Sequence, residues 1–270
     1  MTASPVTGPI PGDDPEKRFV EGDDVLLIDR KRRRYLVTLA SGKEFHSHAG
    51  VLAHDQLLGS VEGTTYRTTL GQWLLALRPT LNDIVLKMPR GAQVIYPKDI
   101  GPIIIMADIH PGVRVLESGV GSGALSMGML RAGAQITGYE VREDFAERAQ
   151  ANVERFAPAV AGNYDVQIRD CYEGIDEEHL DRVVLDLPEP WQVVPHAEKA
   201  LRTGGILVAY TPTIGQASRL RDTLVESRFA FEETLEVLQR TWHIEGQSVR
   251  PDHRMVAHTG FLTSARLLAE

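Results

Sequence analysis

The stretch Val113-Arg-Val-Leu-Glu-Ser-Gly-Val-Gly-Ser-Gly-Ala-Leu125 decides the fold of this chain. An apolar, β-branched run ends in Glu117, and the turn Gly119-x-Gly121-Ser122-Gly123 then opens into a helix-like segment. Glycine lets the backbone turn tightly and approach a ligand with no Cβ in the way. About twenty residues on, a second strand-like run, Gln135-Ile-Thr-Gly-Tyr-Glu140, ends in an acid suited to gripping a ribose diol. Together these pieces read as a βαβ unit that binds a nucleotide.

The spacing of the glycines narrows the ligand. A dinucleotide site carries G-x-G-x-x-G and seats a pyrophosphate on the helix N-terminus. Here the spacing is G-x-G-x-G, with Glu117 two residues ahead of the first glycine. A carboxylate in that position repels a pyrophosphate but helps to hold an ammonium group. S-adenosyl-L-methionine (SAM) carries an ammonium, a sulfonium and a ribose, and no phosphate. The loop therefore favours SAM over NAD, and over a tight strand-to-helix turn with no ligand.

Around this unit, 270 residues suffice for one large or two small domains with real cores. A single cysteine, Cys171, rules out an intrachain disulfide and a multi-cysteine zinc site, and suits a reducing cytoplasm. No apolar run approaches a membrane span, and the N-terminus lacks a signal-peptide pattern, so a soluble cytoplasmic protein is expected. The net charge of −8 argues mildly against a polyanionic partner. Yet Asp29-Arg-Lys-Arg-Arg-Arg34 packs five cations into six positions. Two readings of this segment stay open: a solvated hairpin turn, or a phosphate-contacting patch on an acidic body.

Residues 1–17, rich in Pro, Gly, Ser and Asp, are expected to form a disordered tail. Short alternating runs at 25–28, 35–39, 42–46, 64–68 and 73–77 predict a small β domain of barrel or sandwich type over 18–80. Residues 81–98 read as a linker that starts with a short helix. From residue 99 to the end, strands expected at 113–118, 135–140, 165–169, 182–187, 206–211, 231–237 and 261–268 alternate with helices at 99–108, 124–132, 142–156, 192–202 and 215–227. Such alternation predicts a mostly parallel sheet covered on both faces. No helix separates the final two strands, which are expected to pair as an antiparallel hairpin at one edge. The expected class is α/β: the seven-stranded, Rossmann-like sheet of SAM-dependent methyltransferases with a small N-terminal β domain.

Ligands of an open α/β sheet sit beyond the carboxyl ends of its strands. Four acids fall there: Glu117, Glu140, Asp170 and Asp186. Any one alone reads as a cap or turn former. Asp170 is suited to accept from the cofactor's adenine amino group, and Val141 and Phe145, just past Glu140, complete the candidate cofactor contacts. Asp186 ends the run Arg182-Val-Val-Leu-Asp-Leu-Pro-Glu-Pro-Trp191, where two prolines fix an extended course. An acid so held has its geometry set in advance, as a catalytic group needs. The segment is a relative of the Asp/Asn-Pro-Pro-aromatic motif with which many amino-group methyltransferases seize a nucleobase.

Four segments in order carry a closer resemblance: Gln93-Val-Ile-Tyr-Pro-Lys-Asp99, Leu116-Glu-Ser-Gly-Val-Gly-Ser-Gly-Ala-Leu125, Asp186-Leu-Pro-Glu-Pro-Trp191 and Arg250-Pro-Asp-His-Arg-Met-Val-Ala-His-Thr-Gly-Phe261. From about residue 20 to the end, the chain resembles the tRNA (adenine-58-N1)-methyltransferase family of bacteria and archaea. The resemblance implies a homotetramer that uses SAM to methylate N1 of adenine 58 in the tRNA T-loop, with adenine 57 a further target in some archaeal members. It implies that Gly119, Val120, Gly121, Ser122 and Gly123 surround the methionine part of SAM. Glu140 would take the ribose, Asp170 the cofactor adenine, and Asp186 the target base. Gln93 and Tyr96 would line the entrance, Tyr96 stacking on or positioning that base. Ser118 stands where many bacterial members have Ala, and the segments around Asp170 and Pro188 look closer to archaeal members.

The chemistry needs neither a base nor a metal. Adenine N1 is an unprotonated lone pair at neutral pH, so the task is in-line positioning and stabilising the positive charge that grows on the base. Asp186 is the residue expected to do so, with Tyr96. The pairs His46/His48 and His253/His258 read as structural or RNA-contacting rather than metal-binding. Two other readings stay open: a SAM enzyme acting on another RNA or a small molecule, and a non-enzymatic RNA-binding scaffold. The intact acids and glycines speak against the scaffold.

Overall fold

In the computed structural model, residues 17–91 and 93–270 are described; the tail expected over 1–17 lies, except for Lys17, outside the described residues. Contacts divide the chain into two compact units, Met1–Met88 and Pro89–Glu270.

In the first unit, each of the five alternating runs holds a strand and one more is present: β1 (Asp24–Asp29), β2 (Arg34–Thr38), β3 (Glu44–Ser47), the additional β4 (Gly50–Ala53), β5 (Thr65–Arg67) and β6 (Trp73–Leu77). Four form an antiparallel sheet in the order β2-β1-β6-β5, while β3 and β4 pair as a separate hairpin. Val25 and Leu27 of β1 and Leu74 and Ala76 of β6 join Phe19, Leu39 and Leu52 in one core. With Leu52 coming from the hairpin, the layout is sandwich-like. β4 has no counterpart among the runs read from the sequence. The helix α1 (Leu81–Lys87) follows, started by a capping box in which Thr80 and Asp83 satisfy each other's backbone N–H groups. Residues 81–87 of the expected linker thus fall within the first unit.

In the second unit, α2 (Pro97–Met106) leads into β7 (Arg114–Ser118), α3 (Ala124–Arg131), β8 (Gln135–Glu140), α4 (Glu143–Phe156) and β9 (Tyr164–Ile168). Then come β10 (Leu180–Leu185), α5 (Val194–Ala200), β11 (Leu201–Thr211), α6 (Ile214–Val225), β12 (Phe229–Glu236), β13 (Trp242–Glu245), β14 (Ser248–Pro251) and β15 (Phe261–Leu267). Seven strands form one sheet in the order β12-β15-β11-β10-β7-β8-β9. β15 runs antiparallel to both its neighbours; the β11-β10-β7-β8-β9 ladder is parallel. The continuous apolar runs in β7, β10 and β11 are what burial on both faces requires.

Two expectations need correction. The helix placed at 192–202 is a 3-10 turn over Pro190–Val193 followed by the shorter α5, and β11 begins at Leu201 rather than at residue 206. Gly204-Gly205 reads as a turn, but the sheet absorbs it as an irregularity: Leu180 pairs with Leu201, whereas Arg182 pairs with Ile206. The last two sheet strands do pair antiparallel, but not as a simple edge hairpin. The separate β13–β14 hairpin intervenes between them in the chain, and β15 lies inside β12.

Registry sets the level of the candidate site. Ser118 at the end of β7 pairs with Tyr139 of β8 on one side and with Leu185 of β10 on the other. The carboxyl ends of β7, β8 and β10 therefore stop together, and Glu117, Glu140 and Asp186 stand at the same rim.

Candidate active site

The glycine turn after β7 is shaped by two constraints. Gly119 has φ of 85°, and a Cβ there would collide with the carbonyl oxygen of Asp186. The close approach is fixed by the Asp186 N–H donating to the Ser118 carbonyl at 2.9 Å. Gly121 has φ of 55°, also disfavoured for any other residue, yet a Cβ there would meet only Gly119 O at 3.9 Å. Glycine at 121 serves the backbone conformation, and its open side is room for a ligand.

A narrow hollow lies at this turn, lined by Glu117, Gly119, Val120, Gly121, Ser122 and Asp186, together with Gln93. Those seven were expected. Val94, Ile95, Ala124 and Leu125 also line it and were not; in the sequence they are indistinguishable from core residues. Gly123 caps α3 with φ of 78° and packs against Ala149 behind the pocket.

The electrostatics are unusual for a buried place. Glu117 is 2% exposed, and its Oε2 has no hydrogen-bond partner. Burial pushes its carboxyl up to about 8; hydrogen bonds from Ser126 oppose the shift and the negative charge of Asp186 adds to it. Burial likewise pushes Asp186 up to about 7, with the charge of Glu140 adding to the effect. Asp186 keeps some surface in contact with solvent even so. Ser122 Oγ is buried without a partner as well. Among the described residues, no Lys or Arg pairs with Glu117, Glu140 or Asp186. The site concentrates negative charge and leaves it unbalanced.

Glu140 braces the turn from β8. Its Oε2 accepts from the Gly121 N–H at 3.3 Å and its Oε1 from the Arg142 N–H at 3.0 Å. Asp170 does turn-forming work: its Oδ1 accepts from the Tyr172 N–H at 2.9 Å. Val141 is exposed, while Phe145 is buried beneath the Arg142 guanidinium, 3.9 Å from its ring centre. Neither these two nor Asp170 lines the pocket.

The chain after Asp186 is held at three points. Tyr172 Oη accepts from the Glu189 N–H at 3.0 Å, Gln216 donates to the Pro188 carbonyl at 2.8 Å, and Pro190 starts the 3-10 turn. Gln216 belongs to the box that caps α6, so the helix start and the Asp186 segment are locked together.

Tyr96 is half-buried at the N-cap of α2, outside the pocket lining. Sequence reading missed the network that holds the start of this helix. Lys98, its side chain 2% exposed, donates to Asp99 Oδ1 at 2.8 Å, to the Val237 carbonyl at 2.6 Å and to Thr259 Oγ1 at 2.6 Å. Thr259 in turn donates to Asp99 Oδ2 at 2.7 Å, and its carbonyl accepts from Tyr210 Oη. Burial pushes the Tyr210 phenol up to about 12, and the charges of Asp99 and Asp186 add to that rise. Two of the segments on which the resemblance rests, 93–99 and 250–261, meet in this buried network. Their separation of about 160 residues hid the link.

A family model described as the tRNA methyltransferase complex GCD14 subunit matches residues 72–253. The chain belongs to this family. A second model, TrmI-like N-terminal, matches residues 18–65 of this family member. The chain is 38% identical over 245 residues to the tRNA (adenine(58)-N(1))-methyltransferase TrmI of Thermus thermophilus, covering 90% of the chain and 96% of that protein. Among solved structures it superposes with a TM-score of 0.89 and 32% identity on a SAM-dependent O-methyltransferase from Thermotoga maritima, over 93% of the chain and 95% of that one. With the tRNA (m1A58) methyltransferase TrmI from Aquifex aeolicus the TM-score is 0.84 and the identity 29%, over 94% of the chain and all of that structure. The GCD14-family sheet is thus the SAM-dependent methyltransferase sheet that the sequence predicts.

Proposed function

We propose that the chain transfers a methyl group from SAM to N1 of adenine 58 in the T-loop of tRNA. The observation that carries this reading is the unbalanced carboxylate cluster at the glycine turn. Two acids with raised pKa, one with an unpartnered oxygen, gain most from a ligand that brings positive charge. SAM brings two cationic groups, and the site fits them: Glu117 Oε2 and Ser122 Oγ are buried polar atoms without partners, and Gly121 is open on one side. The names of the relatives support the acceptor.

When bound, SAM supplies an electrophilic methyl group on a sulfonium. The chain's residues do the rest. Glu117 balances the ammonium, and Glu140 accepts from the ribose hydroxyls while bracing Gly121. Asp170 would hold the cofactor's adenine, with Val141 and Phe145 as further cofactor contacts beyond the pocket lining. A cation beside Glu117 and Asp186 draws both back to the ionised form at neutral pH. Asp186 then accepts from the exocyclic amine of the target base, orients N1 and stabilises the positive charge as it grows. Tyr96, anchored through α2 to the Lys98–Asp99–Thr259 network, keeps the base in line. The nucleotide must leave its stack to reach this site, at a cost of a few kcal/mol.

One observation favours a second reading, methyl transfer to a hydroxyl. Asp186, with its carboxyl pushed up to about 7, has the properties of a general base, which O-methylation needs and N1 methylation does not. Incubation with labelled SAM and an unmodified tRNA transcript, followed by mapping of the label, separates the two. The expected product is 1-methyladenine at position 58; additional label at 57 widens the site choice. Label absent from tRNA but present on a hydroxyl acceptor favours the second reading.

A cytoplasmic homotetramer completes the proposal. It is supported by the exposed apolar side chains of Trp242, Ile244 and Val249 on the β13–β14 hairpin, which suit a subunit contact. Sedimentation velocity at micromolar concentration tests it.

A further inference from the structure

We propose that the turn end of the first unit's sheet binds an unpaired nucleotide of the RNA substrate, with Trp73 as the stacking platform and Arg30, Lys31, Arg32 and Arg67 holding the flanking phosphates. The inference rests on the tRNA reading above and adds a second contact to it.

Strand direction brings the pieces together. β1 ends at Asp29, β2 begins at Arg34, β5 ends at Arg67 and β6 begins at Trp73, with Asp29 paired to Leu74 and Arg67 to Trp73. All four therefore lie at one end of the sheet. The acids Glu21, Asp23, Asp24 and Glu62 belong to the opposite end, where Asp23 and Glu62 are tied to Arg78. The turn end thus holds a surplus of cations that the net charge of −8 does not show.

The basic turn itself divides into structural and unengaged cations. Asp29 accepts from the Lys31 and Arg33 N–H groups, each at 2.9 Å, and from Arg33 Nε at 2.6 Å. Arg34 pairs with Asp83 at 2.6 Å. These bonds fold the turn, and Arg32 takes a left-handed φ of 61° within it. The side chains of Arg30, Lys31 and Arg32 are exposed and have no acidic partner among the described residues. The two acids at the turn, Asp29 and Asp83, are already engaged by Arg33 and Arg34, so they do not neutralise the three.

Beside these cations is an aromatic surface. Trp73 is partly exposed, and the Arg67 guanidinium lies 4.1 Å from its ring centre. Two adjoining open hollows, of about 400 and 370 Å³, share Asp29, Arg30 and Trp73 in their walls. His48 and Gln72 add polar edges to the larger, Ile28 and Leu75 an apolar floor to the smaller. An aromatic ring among unpaired cations is the combination that binds single-stranded nucleic acid: the ring takes a base face, the cations the backbone. A protein partner would have no use for three unpaired positive charges, with a fourth, Arg67, already lying over one face of Trp73, unless it were strongly acidic.

The test is binding of labelled, unmodified tRNA to the full chain by fluorescence anisotropy, with single-turnover methylation at saturating tRNA measured in parallel. Trp73→Ala is expected to weaken tRNA binding about 10-fold, and Trp73→Phe to restore most of it. The triple change Arg30→Ala, Lys31→Ala and Arg32→Ala lies in an exposed turn that the Asp29 bonds still fold. It is expected to weaken binding and to lower the slope of log affinity against log salt by about 2 to 3. Saturated methylation rates should stay near normal in all three. Normal methylation with unchanged affinity and salt slope in the Trp73→Ala and triple variants overturns the inference. So does a change in oligomer size without a change in tRNA affinity, which marks a protein contact. If the unaltered chain itself neither binds nor methylates tRNA, the proposed function fails first.

Discussion

Asp29 and Glu117 are both carboxylates with little exposed surface, and they are in opposite states. Asp29 stands in the β1–β2 turn near solvent. Burial would raise its pKa, but the Arg33 and Lys31 N–H groups and the Arg33 side chain hold it below the usual carboxylate range. Glu117 stands at the end of β7 with one oxygen unpartnered and its carboxyl pushed up to about 8. Around Asp29, cations are in surplus; around Glu117, Glu140 and Asp186, negative charge is in surplus. A carboxylate that the fold satisfies is structural. One that the fold leaves in deficit is the one proposed to take a ligand of the opposite sign, and the surplus cations beside Asp29 are proposed to take an anionic partner.

The largest expected effect is at the site's charged rim. Asp186→Asn keeps size and one acceptor but removes the charge, so single-turnover methylation of tRNA should fall about 100-fold or more, with tRNA affinity little changed. A near-normal rate would reduce Asp186 to a strand-end residue and leave positioning by Tyr96 to account for the rate.

How much of this was legible in the sequence follows from the range of the interactions. The β7 run, the glycines and the acids at 117, 140 and 186 announce themselves because local pattern and local chemistry coincide there. Strand and helix alternation gave the rest of the sheet. The β13–β14 hairpin did not show, since its residues are mostly exposed on both faces and carry no alternation. The network that anchors Tyr96 was hidden for a different reason. Lys98 and Thr259 are ordinary polar residues until the fold brings them together, and only burial makes their bonds decisive. The basic turn was ambiguous because five adjacent cations look equivalent until Asp29 and Asp83 each select a partner.

Next in size is the ribose contact. Glu140→Ala should weaken SAM binding by about 1–3 kcal/mol, the range for losing a charged acceptor, as measured by calorimetry. Unchanged affinity would leave Glu140 as no more than a brace for Gly121.

Smaller, but opposite in sign, are the stability effects in the ligand-free protein. Asp29→Asn removes charge-assisted bonds from a turn and should cost about 1 kcal/mol at pH 8. Glu117→Gln should instead stabilise. A folded-state pKa of about 8, above the ordinary 4.5, means that the stability held by protonated Glu117 is fully present below pH 4.5 and is lost as pH rises through 8. Glutamine cannot ionise and escapes that loss. Thermal melts at pH 6 and pH 8.5 test this: the two variants should diverge, and the benefit of Glu117→Gln should grow with pH. Destabilisation of both variants alike would erase the distinction between the two carboxylates.

The proposed cation site for SAM is tested most directly at Glu117. Titration calorimetry of SAM binding at pH 6.5, repeated in buffers of different ionisation enthalpy, counts the protons released. With Glu117 raised to about 8 in the empty protein, SAM must drive its proton off. Release of roughly one more proton per SAM by the unaltered protein than by Glu117→Gln is expected, together with weaker binding by the variant. Equal affinity and no proton release in either protein would contradict it.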